Sequence, residues 1–189
     1  MKVEISKITS DVAALLHESL VAECESEETL FPDLGLQVAI LAPGLLQELL
    51  LQSPKSLLSG WKPLNGALTV DEEGIATLDL PDDFLLLGSV RLSGWQRSVD
   101  SLLEPEDCRC QLQESPWKGI GGTPERPVAM LGFSKGGGRQ LRLFRCAQDA
   151  GLEQGWYLPV PVLTAGSMEV APSLYYQLLA KIAESVKAS

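Results

Sequence analysis

Leu80-Pro81-Asp82-Asp83-Phe84-Leu85-Leu86-Leu87-Gly88-Ser89-Val90-Arg91-Leu92, with Trp95 just beyond it, decides the fold class, because a Pro-Asp-Asp turn here joins two apolar runs of strand character. Upstream, Ala67 to Val70 and Ile75 to Leu80 flank Asp71-Glu72-Glu73-Gly74. Ala76, Leu78 and Leu80 alternate with Thr77 and Asp79, the two-residue period of a half-buried strand, so the pair predicts a hairpin. Leu85 to Leu92 is the next strand. Downstream, Val128 to Phe133 and Arg139 to Arg145 predict a second hairpin around Ser134-Lys135-Gly136-Gly137-Gly138, and Gly155 to Leu163 a last strand. Pro159 and Pro161 turn both missing N–H groups to one side of that strand, which predicts an edge position. Ser101 to Ser115 reads as a short helix or an ordered loop, and Trp117 to Pro127, rich in Gly and Pro, as an extended surface loop.

Outside this region the period becomes helical. Ile8 to about Glu25 predicts an amphipathic helix capped by Thr9 or Ser10, with Val12, Leu16 and Leu20 on one stripe; Glu18, Glu23, Glu25, Glu27 and Glu28 then oppose the dipole at its far end. Leu34 to Gln52 carries Leu36, Ile40, Leu45, Leu46, Leu49 and Leu50 and is interrupted by Ala42-Pro43-Gly44, which predicts two short helices or a kinked one. Ser56 to Leu58 adds a turn, and Gly60 ends the helical part. Ala171 to Ala188 returns to helix, with Pro172 near its start and Leu174, Leu178, Ile182 and Val186 on one stripe. The expected class is α+β: a small helical bundle drawn from both chain ends (residues 1–60, with a C-terminal helix in 165–189) and a β-rich insertion over 61–164.

Composition narrows function by exclusion. At 189 residues and 45% hydrophobic the chain buries a core without staples. Its apolar runs read as too short to span a bilayer, and the mixed charges of Met1 to Lys7 lack a secretory leader pattern, so the expectation is synthesis in a cytoplasm and no membrane. A formal net charge of -10 opposes counterion-releasing attachment to nucleic acid, while permitting a channel through which DNA slides. Cys24, Cys108, Cys110 and Cys146 are scattered, and Cys-Arg-Cys lacks the two-residue gap of a zinc pair; His17 is the only histidine. Neither a metal nor a cofactor is expected.

Three motifs carry a chemical and a plain reading. Gly132-Phe133-Ser134-Lys135-Gly136 matches a hydrolase nucleophile elbow, yet a strand follows it instead of a helix, and His17 precedes the serine, where that fold places histidine last. The same glycines lack the Gly-Lys-Ser/Thr ending of a phosphate loop. A hairpin turn explains them. Asp82 and Asp83 read as turn chemistry before paired acids. Arg126, Lys135, Arg139, Arg142 and Arg145 have no acid among them, and on a hairpin they predict a basic face: a solvated surface or half of a charge-matched subunit contact, with Trp117 beside it. Trp95, Trp117 and Trp156 serve as core or interface anchors.

Taken in order, the N-terminal helical region, Leu80-Pro81-Asp82-Asp83-Phe84-Leu85 leading into a strand that ends near Trp95, Arg126-Pro127 opening another, Tyr157-Leu158-Pro159-Val160, and the final amphipathic helix resemble the head-to-tail connector, or adaptor, proteins of tailed bacteriophages. That resemblance implies a non-catalytic virion protein whose copies form a ring, usually twelvefold, between the portal protein and the next tail component. It implies no cofactor and no sequence-specific nucleic-acid binding, with a passive DNA channel. The Cys108 to Thr123 stretch matches no element of that family. The other reading open to the residues is an acidic cytoplasmic protein-binding module, a chaperone or adaptor unrelated to phage.

Overall fold

The computed structural model describes residues 1–20, 33–104, 106–109, 125–134 and 136–188. Glu23 to Glu28, Cys24, Cys110, Lys135, residues 117–124 of the expected surface loop with Trp117, and the His17 side chain lie outside the described residues. The elements are, in chain order, β1 (Lys2–Glu4), α1 (Ile5–Leu20), α2 (Leu34–Gln52), β2 (Lys62–Pro63), β3 (Leu68–Val70), β4 (Ile75–Asp79), β5 (Phe84–Leu92), β6 (Val128–Phe133), β7 (Arg139–Phe144), β8 (Leu152–Pro159), β9 (Ser167–Glu169) and α3 (Tyr175–Lys187). Short 3-10 turns occupy Lys55–Leu57 and Pro172–Leu174. The class is α+β, and every strand pair is antiparallel. Two compact units result: Met1–Gly60 with Val160–Ser189, and Trp61–Pro159.

In the helical unit the three helices pack pairwise. Their buried stripes recur at helical spacing: Ile8, Val12 and Leu16 on α1, Val38, Ala42 and Leu46 on α2, Leu178, Ile182 and Val186 on α3. The first helix begins earlier than expected. β1 runs directly into α1, the N–H of Ile5 donates to Gly166 O at 2.9 Å, and Thr9 lies inside the helix, its Oγ1 donating back to Ile5 O at 2.9 Å. A backbone carbonyl thus meets a need that the sequence suggested a side-chain cap would meet. β1 pairs with β9, joining the two ends of the chain.

The second helix takes one of the two forms that its sequence leaves open. It is one element of 19 residues with Pro43 inside, and Leu36 and Ile40 are exposed. With a mean hydropathy of 1.7, it is long and apolar enough to cross a membrane, so the expectation that no apolar run approaches that length is corrected. Of the two short helices or the single kinked one that Ala42-Pro43-Gly44 predicts, the pair of separate helices is absent, since Pro43 lies within one continuous element.

In the β-rich unit, sheets ordered β2-β8-β5 and β3-β4-β7-β6 line one core that includes Leu64, Leu78, Phe84, Leu87, Trp95 and Leu141. Asp71 closes the β3–β4 hairpin: its Oδ1 accepts the N–H groups of Glu73 at 2.9 Å and Ile75 at 2.8 Å, while Gly74 takes φ +76°. β5 does not alternate strictly. Register shifts between Phe84 and Leu86, Leu87 and Ser89, and Arg91 and Leu92 leave Phe84, Leu87, Val90 and Leu92 as its buried residues. Gly88 sits at the second shift, where a Cβ would come within 2.9 Å of the Trp61 ring and 3.0 Å of Trp156 O.

The edge position expected for the last strand is corrected. β8 is the middle strand of its sheet, flanked along its length by β5 and at Trp156 and Tyr157 by β2. Pro159 is its final residue and Pro161 lies beyond it, so only one proline meets the ladder, at a terminus where a missing N–H does little harm.

Candidate partner-contact site

One end of the β-rich unit gathers the Pro-Asp-Asp turn and the start of β7. The turn closes by Phe84 N–H to Pro81 O at 3.0 Å, and Leu80 N–H donates to Arg139 O at 3.0 Å. Asp83 then leaves turn chemistry behind: Oδ2 accepts from Lys62 Nζ at 2.9 Å and Oδ1 from the Tyr157 hydroxyl at 2.9 Å. Tyr157 stacks on Phe84 with centroids 5.9 Å apart, Arg139 lies 5.9 Å from the centroid of that Phe84 ring, and its guanidinium donates to Asp82 O at 2.9 Å. The Lys62 ammonium, helped by the Tyr157 hydroxyl, holds the Asp83 carboxyl below its ordinary range against partial burial. Burial first, then the neighbouring carboxylate, pushes the Tyr157 phenol up. Asp83 is therefore an ionised acceptor with both oxygens engaged, and it ties β2 and β8 to the turn.

The glycine-rich motif closes a hairpin. Ser134 N–H donates to Gly138 O at 2.8 Å, Gly137 N–H to Ser134 O at 2.9 Å, and Ser134 Oγ accepts from Gly138 N–H at 3.1 Å. The hydroxyl completes the turn between β6 and β7.

The basic residues do not share one face. Alternation along β7 places Arg139 with the buried Leu141 and Leu143, whereas Arg142 shares the opposite face with Phe144, lying 5.5 Å from its ring centroid. Arg145 follows β7 with φ +65°, and its carbonyl accepts from Trp95 Nε1 at 3.4 Å; Arg126 is exposed ahead of β6. The expected basic face is thus a basic arm, charged on both sides, because a spacing of three in a strand reverses direction. Lys135 and Trp117 lie outside the described residues. Trp95 is buried in the core, and Trp156 is partly exposed on β8.

Burial pushes the Cys146 thiol up to about 11, and its Sγ donates to Leu143 O at 3.3 Å, while Cys108 is exposed. Among the described residues no group of His, Cys, Asp and Glu could hold a metal ion.

Two apolar surfaces escaped the sequence reading. Phe133, at the tip of the β6–β7 hairpin, is 69% exposed, and α2 presents Leu36 at 62%, Ile40 at 68% and Leu51 at 54%. The only ionisable residue of α2, Glu48, is engaged by Lys181 at 3.0 Å. The signal was present in Leu34 to Gln52: a helix apolar around its whole circumference has a second face to cover. No protein-family model matches the chain, and no curated protein matches it in sequence.

Proposed function

We propose that this chain is a non-catalytic structural protein of a phage or prophage virion, a head-to-tail connector whose copies form a ring below the portal. The observation that carries the reading is the exposed stripe of Leu36, Ile40 and Leu51 on a helix whose one charge is already paired. Large apolar side chains exposed together on one helix face mark a contact with another molecule. The architecture supports it: both chain ends build the helical unit and the β-rich unit lies between them in sequence, the order on which the resemblance to connectors rests. The formal charge of -10 suits a lumen along which DNA moves without adhering.

Electron microscopy of the purified protein mixed with the portal protein encoded beside it tests the reading. Added ring density on the portal is the expected image. A protein that leaves the portal bare and stays monomeric at every concentration refutes it.

A further inference from the structure

We infer that Asn65-Gly66 is a self-modification site: the Gly66 amide nitrogen closes on the Asn65 side chain, and water opens the ring to leave aspartate or isoaspartate where the chain crosses between two sheets. Asn65 is the only asparagine in the sequence, and asparagine is among the thermolabile residues.

Asn-Gly beside apolar runs ordinarily signals a two-residue hairpin turn. Here it makes no hairpin. β2 pairs with β8 and β3 with β4, so residues 64–67 carry the chain from one sheet of the β-rich unit to the other. Asn65 and Gly66 are exposed, and neither the Asn65 side chain nor the Gly66 N–H has a hydrogen-bond partner among the described residues. A strand ladder would engage that nitrogen, whereas this crossing leaves it open, and glycine has no side chain to screen it.

The reaction needs only water. Gly66 N bonds to Asn65 Cγ, the Cγ–Nδ2 bond breaks, and the side-chain amide departs as ammonia with the proton of the Gly66 N–H. Water then adds to one of the two carbonyls of the cyclic imide. Opening at Cγ leaves aspartate on the original main chain, whereas opening at the Asn65 main-chain carbonyl leaves Gly66 joined through Cγ, which is isoaspartate. The second product disturbs the fold, because both ends of the crossing are pinned. Leu64 is 1% exposed and its N–H donates to Gly155 O at 2.8 Å. Gly66 lies close against β4, where a Cβ would fall within 2.9 Å of Leu78 Cδ1 and 3.0 Å of Asp79 O. Isoaspartate inserts a methylene carbon into the main chain between these anchors, and a close-packed interior gives it no room. Aspartate inserts nothing.

The test is incubation of the purified protein at mildly alkaline pH, folded and in urea, read by peptide mass spectrometry and by labelling with an isoaspartyl methyltransferase. Both products should appear in the peptide that contains residue 65, and Asn65→Gln, whose longer side chain closes the ring poorly, should form neither. Because the site reacts without unfolding, the folded and urea-unfolded chains should convert at rates within about tenfold of each other. The incubated protein should then show a second, less stable population in urea unfolding, in proportion to its isoaspartate. Asn65→Asp, with the main chain intact, should unfold like the wild type, and circular dichroism checks that both variants keep the fold. Four results overturn the inference: protection of the folded chain beyond about tenfold; aspartate without isoaspartate, which means direct hydrolysis of the side chain; an incubated protein as stable as the fresh one; or Asn65→Asp as unstable as the isoaspartyl form, which places the effect in the new charge.

Discussion

Gly88→Ala should destabilise the β-rich unit, although alanine in a strand is ordinarily the better residue. Its added Cβ meets two ring carbons of Trp61 at 2.9 Å and the Trp156 carbonyl oxygen at 3.0 Å. Neither neighbour is the free end of a flexible chain: one is an indole ring, the other backbone in the middle strand of the sheet. Overpacking of this kind costs about 1–3 kcal/mol. The loss of glycine's unfolded-state entropy returns roughly 0.5–1 kcal/mol, so the net expectation is a loss of about 0.5–2 kcal/mol. Gly44→Ala is the matched control. It lies within α2, where a Cβ meets nothing within 4 Å, and the same atom there should stabilise by about 1 kcal/mol. Urea unfolding followed by tryptophan fluorescence for Gly88, and by helical circular dichroism for Gly44, measures each in its own unit. A Gly88→Ala protein as stable as the wild type would refute the close approach of Trp61 to β5.

Asp83→Asn should cost less than about 1 kcal/mol at neutral pH, because the Lys62 pair is largely exposed and water screens it. Its folded pKa is lowered, so the contribution is fully present above the unfolded value and fades as pH falls through the folded one; the two unfolding curves should converge in acid. Curves that stay apart at low pH would place the effect in packing instead. Tyr175→Phe removes a 2.6 Å hydrogen bond to Asp11 between α3 and α1, and thermal unfolding should register a loss of about 1 kcal/mol in the helical unit. An unchanged transition would mean that water replaces the phenol. In single-cysteine variants, iodoacetamide should modify Cys108 at neutral pH, while Cys146, with its thiol near 11, reacts only as the solution becomes strongly alkaline. Equal rates would contradict the burial of Cys146.

Elements were legible where one local pattern dominated. Thr77 and Asp79 alternate with apolar neighbours, and β4 is there; Leu178, Ile182 and Val186 recur at helical spacing, and their stripe is buried. The readings failed where a distant partner decided the outcome. Ile5 needs no side-chain cap because Gly166 supplies a carbonyl from the far end of the chain. β8 is central because β2, only two residues long, pairs with Trp156 and Tyr157. The candidate contact residues were half legible: the arginines were visible as a cluster, but their split across β7 depends on a strand register that composition does not reveal.

The sequence by itself determined the α+β class, the two hairpins, the serine's place in a turn and the surplus of negative charge, since each follows from short-range periodicity, glycine placement or counting. Tertiary structure alone decided what Asp83 does, which side of α2 stays wet and that Phe133 projects from its hairpin. Lys62, Asp83 and Tyr157 lie far apart along the chain, and a helix apolar on every side gives no local sign of which face its neighbours cover.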